Sequence, residues 1–440
     1  MKKAFAIFLA VAMVLSISAC AATPAPAVPQ PQQPGQAAAQ PEAVAGETEL
    51  EPVTIRFANY ALLEEGYTEF WEGVRAGFEA KHPHITIEWV TAPYGEIVTQ
   101  VINMAGAGDR VDLMWGEIDW TPVFQDVGLA IPVENVLTQE FLADFYPSVL
   151  DAARVNGVIY SLPLKVSPFV MWYNRDILAQ AGFDAPPRTF NEMLEMGEVI
   201  SQMLTEDGNT IYTFGQATAS RPVTGASLTG LIYNFGGQLL DEQGNLSIDN
   251  PGFTEAFEML QLLDELGYNP QNALLRDLRN LFALGRLAMY YDQSWGFNGI
   301  NAINPYAREF ANVAAPMAGG SGQGYSILQG KVLIFMDNGP ERREATRLLA
   351  EYMMTWEVIG DYITNMVPAF PSVRTMDGMV SPMLAGAAHS IEMTTPITFV
   401  PTLTDLFLEL CAMAQMVTVG GMDVDAAKEA FRNAAQMILN

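Results

Sequence analysis

The chain has 440 residues, half of them hydrophobic, so it can bury a large core and has the length of about two domains. It carries 50 acidic residues against 22 basic ones, which gives a formal net charge of −28. Such a charge repels phosphate backbones and anionic membrane surfaces, so we expect no nucleic-acid partner.

Residues 1–19 have the three parts of an export signal. Lys2 and Lys3 give a charged start, "AFAIFLAVAMVL" an apolar middle and "SISA" a small-residue end. The apolar stretch is shorter than the ~20 residues of a membrane span, which disfavours the alternative of a permanent anchor helix. "ISAC", from Ile17 to Cys20, resembles the lipobox of bacterial lipoproteins. That resemblance implies that Cys20 becomes the first mature residue and carries a lipid.

Residues 20–51 are rich in Pro, Gln and Ala and contain no apolar residue larger than Val before Leu50. A segment of this composition cannot form a core. Proline-rich chain extends by ~3.1 Å per residue, so this segment could hold a folded body up to roughly 90 Å from a lipid anchor. We therefore expect a tether here, and contact with the membrane through the N-terminal lipid only.

Beyond the tether, strand-like runs alternate with helical patterns. "VTIRFANY", "ITIEWV" and "VDLMW" favour strands, and an amphipathic stretch from Tyr67 to Lys81 separates the first two. This alternation predicts βαβ units and a mainly parallel sheet in an α/β fold. "GQLLDEQGNLSIDN" predicts a hairpin that turns at Glu242 to Asn245. Further helices are predicted over 190–204, 253–266, 341–354, 403–417 and 424–438.

The stretch "VMWYNRDILAQAGFDAPPRTFNEM", residues 170–193, predicts a strand, a short helix, a turn and a second helix. Gly182 suits the left-handed cap that ends the short helix. Thr189 with Glu192 three residues later has the pattern of a capping box at the start of the second helix.

Five stretches resemble, in consistent order, the family 1 extracellular solute-binding proteins, which are the sugar-binding components of ABC importers. They are "GFEAKHPHITIEWV", "AGAGDRVDLMWGEIDWTPVFQDVGLAIPV", "NGVIYSLPLKVSPFVMWYNRDILAQAGFDAPPRTFNEM", "LFALGRLAMYYDQSW" and "GPERREATRLLAEYMMTWE". The matches span about residues 53–440. The resemblance implies a two-lobed periplasmic-binding-protein-like fold (type II) with hinge strands between the lobes. The run from Leu162 to Tyr173 would be one of these strands.

The resemblance also implies how the chain is divided and used. The N-terminal lobe would comprise residues 52–163 and 300–362, and the C-terminal lobe residues 164–299 and 363–440. The lobes would close on a ligand, and the permease subunits of an ABC importer would receive it. We expect a monomer that is lipid-anchored to the cell membrane and faces outside the cytoplasm. A sensor subunit that presents its ligand to a membrane kinase would have the same fold and stays an alternative.

Sugar recognition uses flat aromatic faces against C–H groups, and carboxylates or amides against pairs of hydroxyls. The segment "WGEIDWT" follows a predicted strand and offers Glu117, Asp119 and Trp120. The resemblance places Asp119 where the maltose-binding members hold a carboxylate that meets sugar hydroxyls. These three residues are therefore candidate ligand contacts.

Four further candidates lie elsewhere in the chain. Tyr60 follows the first strand, and loops at the carboxyl ends of parallel strands face ligands. Trp295 stands where the family carries a stacking tryptophan, with Asp292 just before it. Ser167, in the crossing strand, stands where the maltose-binding members carry a carboxylate. The serine makes a smaller polar contact, so the identity of the sugar stays open.

The ligands of the family also include glycerol phosphate. A phosphate ligand would need arginine or lysine in the cleft. The candidate loops carry aromatic and acidic residues, with Lys165 and Arg221 as the exceptions, so an uncharged sugar is favoured over glycerol phosphate or another non-sugar solute.

No motif predicts catalysis, a cofactor or a metal. His82, His84 and His389 are too scattered for a zinc site and are expected at the surface. Cys411 lies in an apolar run, where we expect it to pack as a small apolar residue. "GGSGQG" lacks the spacing of a nucleophile elbow, and "GYSILQGKV" departs from a phosphate loop. We expect a binding protein, with a secreted glycosidase that uses two carboxylates as the alternative from another class.

Overall fold

The structure is a computed structural model. It describes residues 50–64, 66–320, 322, 324–391, 394–395 and 397–440, without the side chains of 389–391 and 395. The predicted signal peptide, the predicted lipidation site Cys20, the predicted tether as far as Glu49 and the side chain of His389 lie outside this description. No helix in the described ranges has both the length and the apolar character needed to cross a lipid bilayer.

Twelve strands lie in the described part of the chain. They are β1 (Val53–Asn59), β2 (Ile85–Val90), β3 (Leu113–Glu117), β4 (Arg154–Val155), β5 (Val158–Ile159), β6 (Ser161–Asn174), β7 (Tyr212–Gly215), β8 (Leu287–Gln293), β9 (Ala311–Ala314), β10 (Ser326–Phe335), β11 (Phe370–Pro371) and β12 (Thr394–Thr395). β4 and β5 form a separate hairpin, and the other ten belong to one sheet in which the order β2-β1-β3-β10-β6-β8-β7 forms the main path.

The sheet is mixed, so the prediction of a mainly parallel sheet is wrong for its centre. β1 is parallel to β2 and β3, and β7 is parallel to β8, as βαβ units require. The two long strands β6 and β10 run antiparallel to each other, and each is also antiparallel to its other main neighbour, β8 or β3. The reason is the path of the chain: it enters the second half of the sheet along β6 and returns along β10, so these strands point in opposite directions.

Fourteen α-helices lie in the described ranges. They are α1 (Thr68–Lys81), α2 (Ile97–Gly106), α3 (Thr121–Asp126), α4 (Gln139–Leu142), α5 (Pro147–Asp151), α6 (Arg175–Gln180), α7 (Phe190–Ile200), α8 (Pro222–Asn234), α9 (Pro251–Glu265), α10 (Leu275–Ala283), α11 (Phe297–Ile303), α12 (Pro340–Met353), α13 (Leu403–Thr418) and α14 (Val424–Leu439). The seven predicted helices are confirmed as α1, α6, α7, α9, α12, α13 and α14.

The predicted boundaries around α6 and α7 follow from local chemistry. Gly182 has a φ of +88°, the left-handed conformation that was expected after α6. The Thr189 hydroxyl accepts the Glu192 N–H at 3.1 Å and so caps α7. The return contact differs from a capping box, because the Glu192 carboxylate accepts the N–H of Arg188 at 2.6 Å, one residue before the cap.

The predicted hairpin is confirmed between α8 and α9. Leu240 and Leu246 form an antiparallel bridge, and the Ser247 N–H donates to the Leu239 carbonyl at 2.9 Å. The Asp241 carboxylate accepts backbone N–H groups inside the turn, which fixes it without a longer strand ladder.

Two hydrophobic cores meet along the sheet. The first lies around β1, β2 and β3 and the second around α8, α9 and α13. β6 serves both, because Val170 and Trp172 belong to the first core while Phe169 and Met171 point to the second. A strand with both faces buried needs an almost continuous apolar run, which "FVMW" supplies. The boundaries of the two lobes stay a prediction.

Candidate functional site

A cavity of about 340 Å³, within the size range of small-molecule sites, is bordered by residues that pack into both cores. Its wall contains the carboxyl ends of the parallel strands β1 and β3, the start of α8, the end of β8, the middle of β10 and one residue of α13. The lining residues are Tyr60, Glu64, Tyr94, Glu117, Asp119, Pro222, Val223, Ala226, Gln293, Trp295, Gln329, Lys331 and Phe407.

A buried polar cluster forms one side of the cavity. Glu117 is the last residue of β3 and stands opposite Lys331 in the register of β3 with β10. The Tyr60 hydroxyl donates to Glu117 Oε1 at 3.1 Å, and Lys331 Nζ donates to both Tyr60 Oη and Glu117 Oε1. Since Glu117 is only 7% exposed, this ion pair compensates for the loss of hydration of its carboxylate.

Asp119 forms no ion pair among the described residues, although a backbone hydrogen bond and the charge of Lys331 favour its charged form. Its Oδ1 is buried and has no hydrogen-bond partner among the described residues. Burial, followed by the negative charge of Glu117, raises the pKa of Asp119 to about 7. Near neutral pH this carboxyl group therefore exists in both protonation states. It offers an unused acceptor to a ligand hydroxyl, or a donor when it is protonated.

Aromatic rings surround the polar cluster. The rings of Tyr60 and Tyr94 meet edge to face at 5.0 Å between centroids, and Trp120 lies 5.2 Å from Tyr94 and 5.7 Å from Tyr60. Trp295, which follows the end of β8, is partly exposed, and its ring centroid lies 5.9 Å from Lys331 Nζ. Because the ring of Tyr94 is half exposed, an apolar face of a ligand can reach it.

Lys165 lies behind Trp295. Its Nζ is 4.5 Å from the centroid of the Trp295 ring and 5.1 Å from that of Tyr362, and its side chain is 1% exposed. Burial, followed by the positive charge of Lys331, holds the pKa of Lys165 well below its usual value. Among the described residues no carboxylate lies within ion-pair distance of it, in contrast to Lys331.

The structure brings four of the seven sequence candidates together on the cavity wall: Tyr60, Glu117, Asp119 and Trp295. Trp120 is not among the lining residues; its ring contacts those of Tyr60 and Tyr94, and its direct role in ligand binding stays a prediction.

Ser167 and Asp292 are fully buried and are not among the residues that line the cavity. Ser167 Oγ lies 2.8 Å from Ser294 Oγ and accepts the Ser294 N–H, so its hydrogen bonds join β6 to the end of β8. Asp292 accepts two hydrogen bonds from Arg279, at 2.6 and 2.8 Å. Both residues support the turn that carries Trp295, and their direct role in ligand binding stays a prediction.

Sequence reasoning missed Tyr94 and Lys331. Tyr94 follows β2, a neighbour of β1, so the rule that selected Tyr60 would have selected it too. No local pattern marks Lys331, because its place depends on the antiparallel pairing of β10 with β3. The sequence analysis named Lys165 and Arg221 as the cations near the cleft and therefore missed Lys331. Arg221 precedes α8, is exposed and does not line the cavity.

The electrostatic balance of the lining is acidic. Glu64, Glu117 and Asp119 contribute three carboxyl groups against the single ammonium group of Lys331. A phosphate group would meet carboxylates and a lysine that is already paired, so this wall suits hydroxyl groups better than anions.

His82, His84 and Cys411 do not line the cavity. No group of three or more His, Cys, Asp or Glu side chains in these ranges has the arrangement of a metal site. His82 and His84 are partly exposed, and Cys411 is buried in the second core, as predicted. Burial raises the pKa of the Cys411 thiol, which keeps it protonated and unreactive.

Two cores joined by long crossing strands, with a cavity bordered by both, define a two-lobed binding protein. The structure is similar to the cyclic α-maltosyl-1,6-maltose binding protein of Arthrobacter globiformis, with a TM-score of 0.77, 17% identity and coverage of 88% of this chain and 99% of that chain. It is also similar to an ABC transporter solute-binding protein of Thermotoga lettingae bound with α-D-tagatose (TM-score 0.71, 22% identity, 88% and 100% coverage). The expected two-lobed fold is confirmed.

In sequence, the chain is 24% identical over 310 residues to a protein of Brucella abortus (strain 2308) that is described as a binding protein. This match covers 70% of this chain and 73% of the relative. The family of bacterial extracellular solute-binding proteins matches residues 60–355. The chain belongs to this family, which confirms the resemblance found in the sequence.

Proposed function

We propose that this protein captures an uncharged sugar or oligosaccharide in the cavity around Asp119 and Trp295. The observation that carries the proposal is the Asp119 oxygen Oδ1, which is buried without a hydrogen-bond partner among the described residues, in a wall that also presents aromatic rings. A pyranose has apolar C–H faces for the rings and hydroxyls for the carboxyl group. The names of the Arthrobacter and Thermotoga proteins, which include an oligosaccharide and a monosaccharide, support this ligand class.

Two other functions are less favoured by the cavity, and the binding test described below also distinguishes them. Glycerol phosphate or another anionic solute is disfavoured by the three carboxyl groups of the lining. A glycoside-acting enzyme would need two carboxyl groups, an acid and a base or nucleophile; Asp119 could serve as the acid, but its neighbour Glu117 is paired with Lys331.

The proposal extends to how the protein works in the cell. The lobes, residues 52–163 with 300–362 and 164–299 with 363–440, would close over the sugar by bending at β6 and β10. A lipid on Cys20 would hold the monomer at the outer face of the cell membrane, and the closed form would deliver the sugar to an ABC importer. Treating whole cells with globomycin, which blocks removal of lipoprotein signals, and following the size of the protein tests the anchor.

The binding test is a titration of tryptophan fluorescence with mono- and oligosaccharides and with glycerol phosphate, on protein that begins at Glu47. We expect a saturable change with a sugar. Trp295→Ala should weaken that binding about tenfold, because the ring contributes both buried area and a defined stacking geometry. Trp356→Ala is the matched control, since Trp356 is 45% exposed and does not line the cavity.

Three results would contradict the proposal. Saturation by glycerol phosphate alone would replace sugar with an anion, and continued release of product from a glycoside would make the protein an enzyme. A sugar response that Trp356→Ala abolishes and Trp295→Ala leaves intact would place the site elsewhere.

A further inference from the structure

The two carboxyl groups at the end of β3 have different partners. Glu117 Oε1 accepts hydrogen bonds from Tyr60 and Lys331, and the charge of Lys331 balances its own. Asp119, two residues later, has its Oδ1 in the cavity wall, buried and without a hydrogen-bond partner among the described residues. If this pair of neighbouring groups holds a proton, the proton belongs on Asp119, because the hydrogen bonds and the ion pair stabilise Glu117 in its charged form.

The lining residues offer Asp119 one positive charge. Lys331 on β10 is the single cation among the described residues of the wall. Tyr60 and Tyr94, which follow β1 and β2, remain neutral, because burial holds the pKa of both phenols above its usual value. Glu64 adds a further, exposed carboxyl group. The other lining residues are uncharged: Gln293, Trp295, Gln329, Pro222, Val223, Ala226 and Phe407.

Charged residues on the adjoining elements do not line the cavity. α3 begins two residues after Asp119, and its single titratable residue, Asp126, is exposed at its end. Lys165 of β6 and Arg221, before α8, are not among the lining residues either. Since the one lysine of the wall is bound to Glu117, Asp119 meets an excess of negative charge, which disfavours its own charged form.

A bound sugar would change this balance. A pyranose hydroxyl that donates to Asp119 Oδ1 gives this oxygen the partner that it lacks. The hydrogen bond is stronger with the carboxylate than with the protonated group, because it is assisted by charge. A ligand that prefers one of two forms shifts the protein towards that form, so sugar binding and loss of the proton favour each other.

We propose that capture of the sugar releases a proton from Asp119, so that the protein binds its ligand more tightly at pH 8 than at pH 6. This inference rests on the proposed function and adds regulation by external pH to it. In the free protein, burial and then the charge of Glu117 raise the pKa of Asp119 to about 7, so the group is partly protonated near neutral pH. In the complex the sugar hydroxyl favours the carboxylate, and the proton passes to the solvent.

Isothermal titration calorimetry on the wild-type protein tests this proposal. Glucose, mannose, maltotriose and cellotriose are the probes, and the sugar that binds most tightly is titrated at pH 6, 7 and 8. A preference of about tenfold for the carboxylate form would raise the affinity about fivefold from pH 6 to pH 8. At pH 6.5, titrations in phosphate and in imidazole, which differ in their enthalpy of ionisation, should then show release of about half a proton per sugar bound.

Asp119→Asn identifies the source of the proton, because an amide has the shape of the carboxyl group but does not titrate. We expect the affinity of this variant to stay constant between pH 6 and pH 8, with no proton released. Asp126→Asn is the matched control: it makes the same substitution at an exposed position that does not line the cavity, and it should keep the pH dependence of the wild type.

Constant affinity of the wild type from pH 6 to pH 8, with no proton exchanged, would overturn the inference and leave the proposed function in place. A pH dependence that Asp119→Asn retains would do the same, because the proton would come from another group. Affinity that falls as the pH rises would mean that Asp119 donates to the sugar, contrary to the inference. If Asp119→Asn does not bind, the proton count of the wild type decides. Absence of binding to every sugar probe would count against the proposed function itself.

Discussion

Lys165 carries an ionisable side chain but lies almost completely buried. Glu117, Lys331 and Lys165 follow one another across β3, β10 and β6, because Lys331 is in register with both of the others. Glu117 binds Lys331, while Lys165 lies between the rings of Trp295 and Tyr362. Cation–π contacts only partly replace the hydration that an ammonium group loses on burial. Lys165 therefore destabilises the folded protein at every pH at which its side chain is protonated in the unfolded chain.

The variant Lys165→Met should raise the free energy of unfolding at pH 7 by on the order of 1–4 kcal/mol, because it replaces a poorly compensated buried cation with an apolar side chain of similar length. The pKa of Lys165 is lowered in the folded state, so the unfolded chain binds more protons between that pKa and about 10.4. The stability of the wild type relative to the variant should consequently rise with pH. Urea unfolding at pH 7, 8.5 and 10 measures this difference.

Lys81→Met is the control for the Lys165 variant, because Lys81 is exposed at the end of α1. We expect it to change stability by less than about 0.5 kcal/mol, with no added dependence on pH. If Lys165→Met destabilised the protein at every pH, the ammonium group would be needed to hold Trp295 and Tyr362, and the argument from its burial would be wrong.

At the scale of elements, the turn that follows β8 determines where Trp295 points. Arg279 of α10 holds both carboxylate oxygens of Asp292, and Tyr290 donates a further hydrogen bond to the same carboxylate at 3.2 Å. The turn passes close to this group: a Cβ at Gly296 would lie 2.1 Å from Asp292 Oδ2. Glycine is required there because the backbone passes close to a fixed carboxylate. Its conformation does not require glycine, because the φ of Gly296 is −56°, a helical value that any residue adopts.

The variant Gly296→Ala should therefore lower the free energy of unfolding by about 2 kcal/mol or more, because either the Arg279–Asp292 pair or the turn must move. The movement would displace Trp295 and weaken binding at the proposed sugar site. Thermal unfolding measures the first effect and tryptophan fluorescence titration the second. Gly378→Ala is the matched control, since a Cβ at Gly378 has no neighbour within 4 Å. Equal stability and equal binding in the two variants would show that the contact at Gly296 relaxes without cost.

Sequence reasoning predicted the features that depend on residues close together in the chain. The helices and the cap at Thr189 follow from periodicity and from hydrogen bonds between residues close in the chain, so the sequence was sufficient for them. The direction of β6 and β10 and the place of Lys331 depend on which strands become neighbours. Asp292 shows a further limit: its type suits a sugar hydroxyl, but no local pattern shows that Arg279, 13 residues earlier in the chain, donates two hydrogen bonds to it.

At the scale of the whole molecule, the net charge lowers the stability of the folded state through repulsion that is spread over many residues. Fifty acidic residues and 22 basic ones leave a formal charge of −28. Many of the basic side chains in the described ranges already form ion pairs, including Arg347 with Glu344 and Glu351 and Arg432 with Asp249 and Glu429. The carboxylates in excess repel one another, and this repulsion opposes the compact state. The same field would repel an anionic ligand before it reached the cavity.

Salt should therefore stabilise this protein. Raising the ionic strength from 0.01 to 0.5 M shortens the Debye length from about 30 Å to a few ångströms, which removes long-range repulsion but affects buried pairs such as Arg279–Asp292 much less. We expect the midpoint of thermal unfolding at pH 7 to rise by about 2–4 °C in NaCl and equally in KCl. Near pH 4, where many carboxyl groups take up protons, the rise should largely disappear. A midpoint that fell with salt at pH 7 would mean that attraction within the surface ion pairs outweighs the net repulsion of the chain.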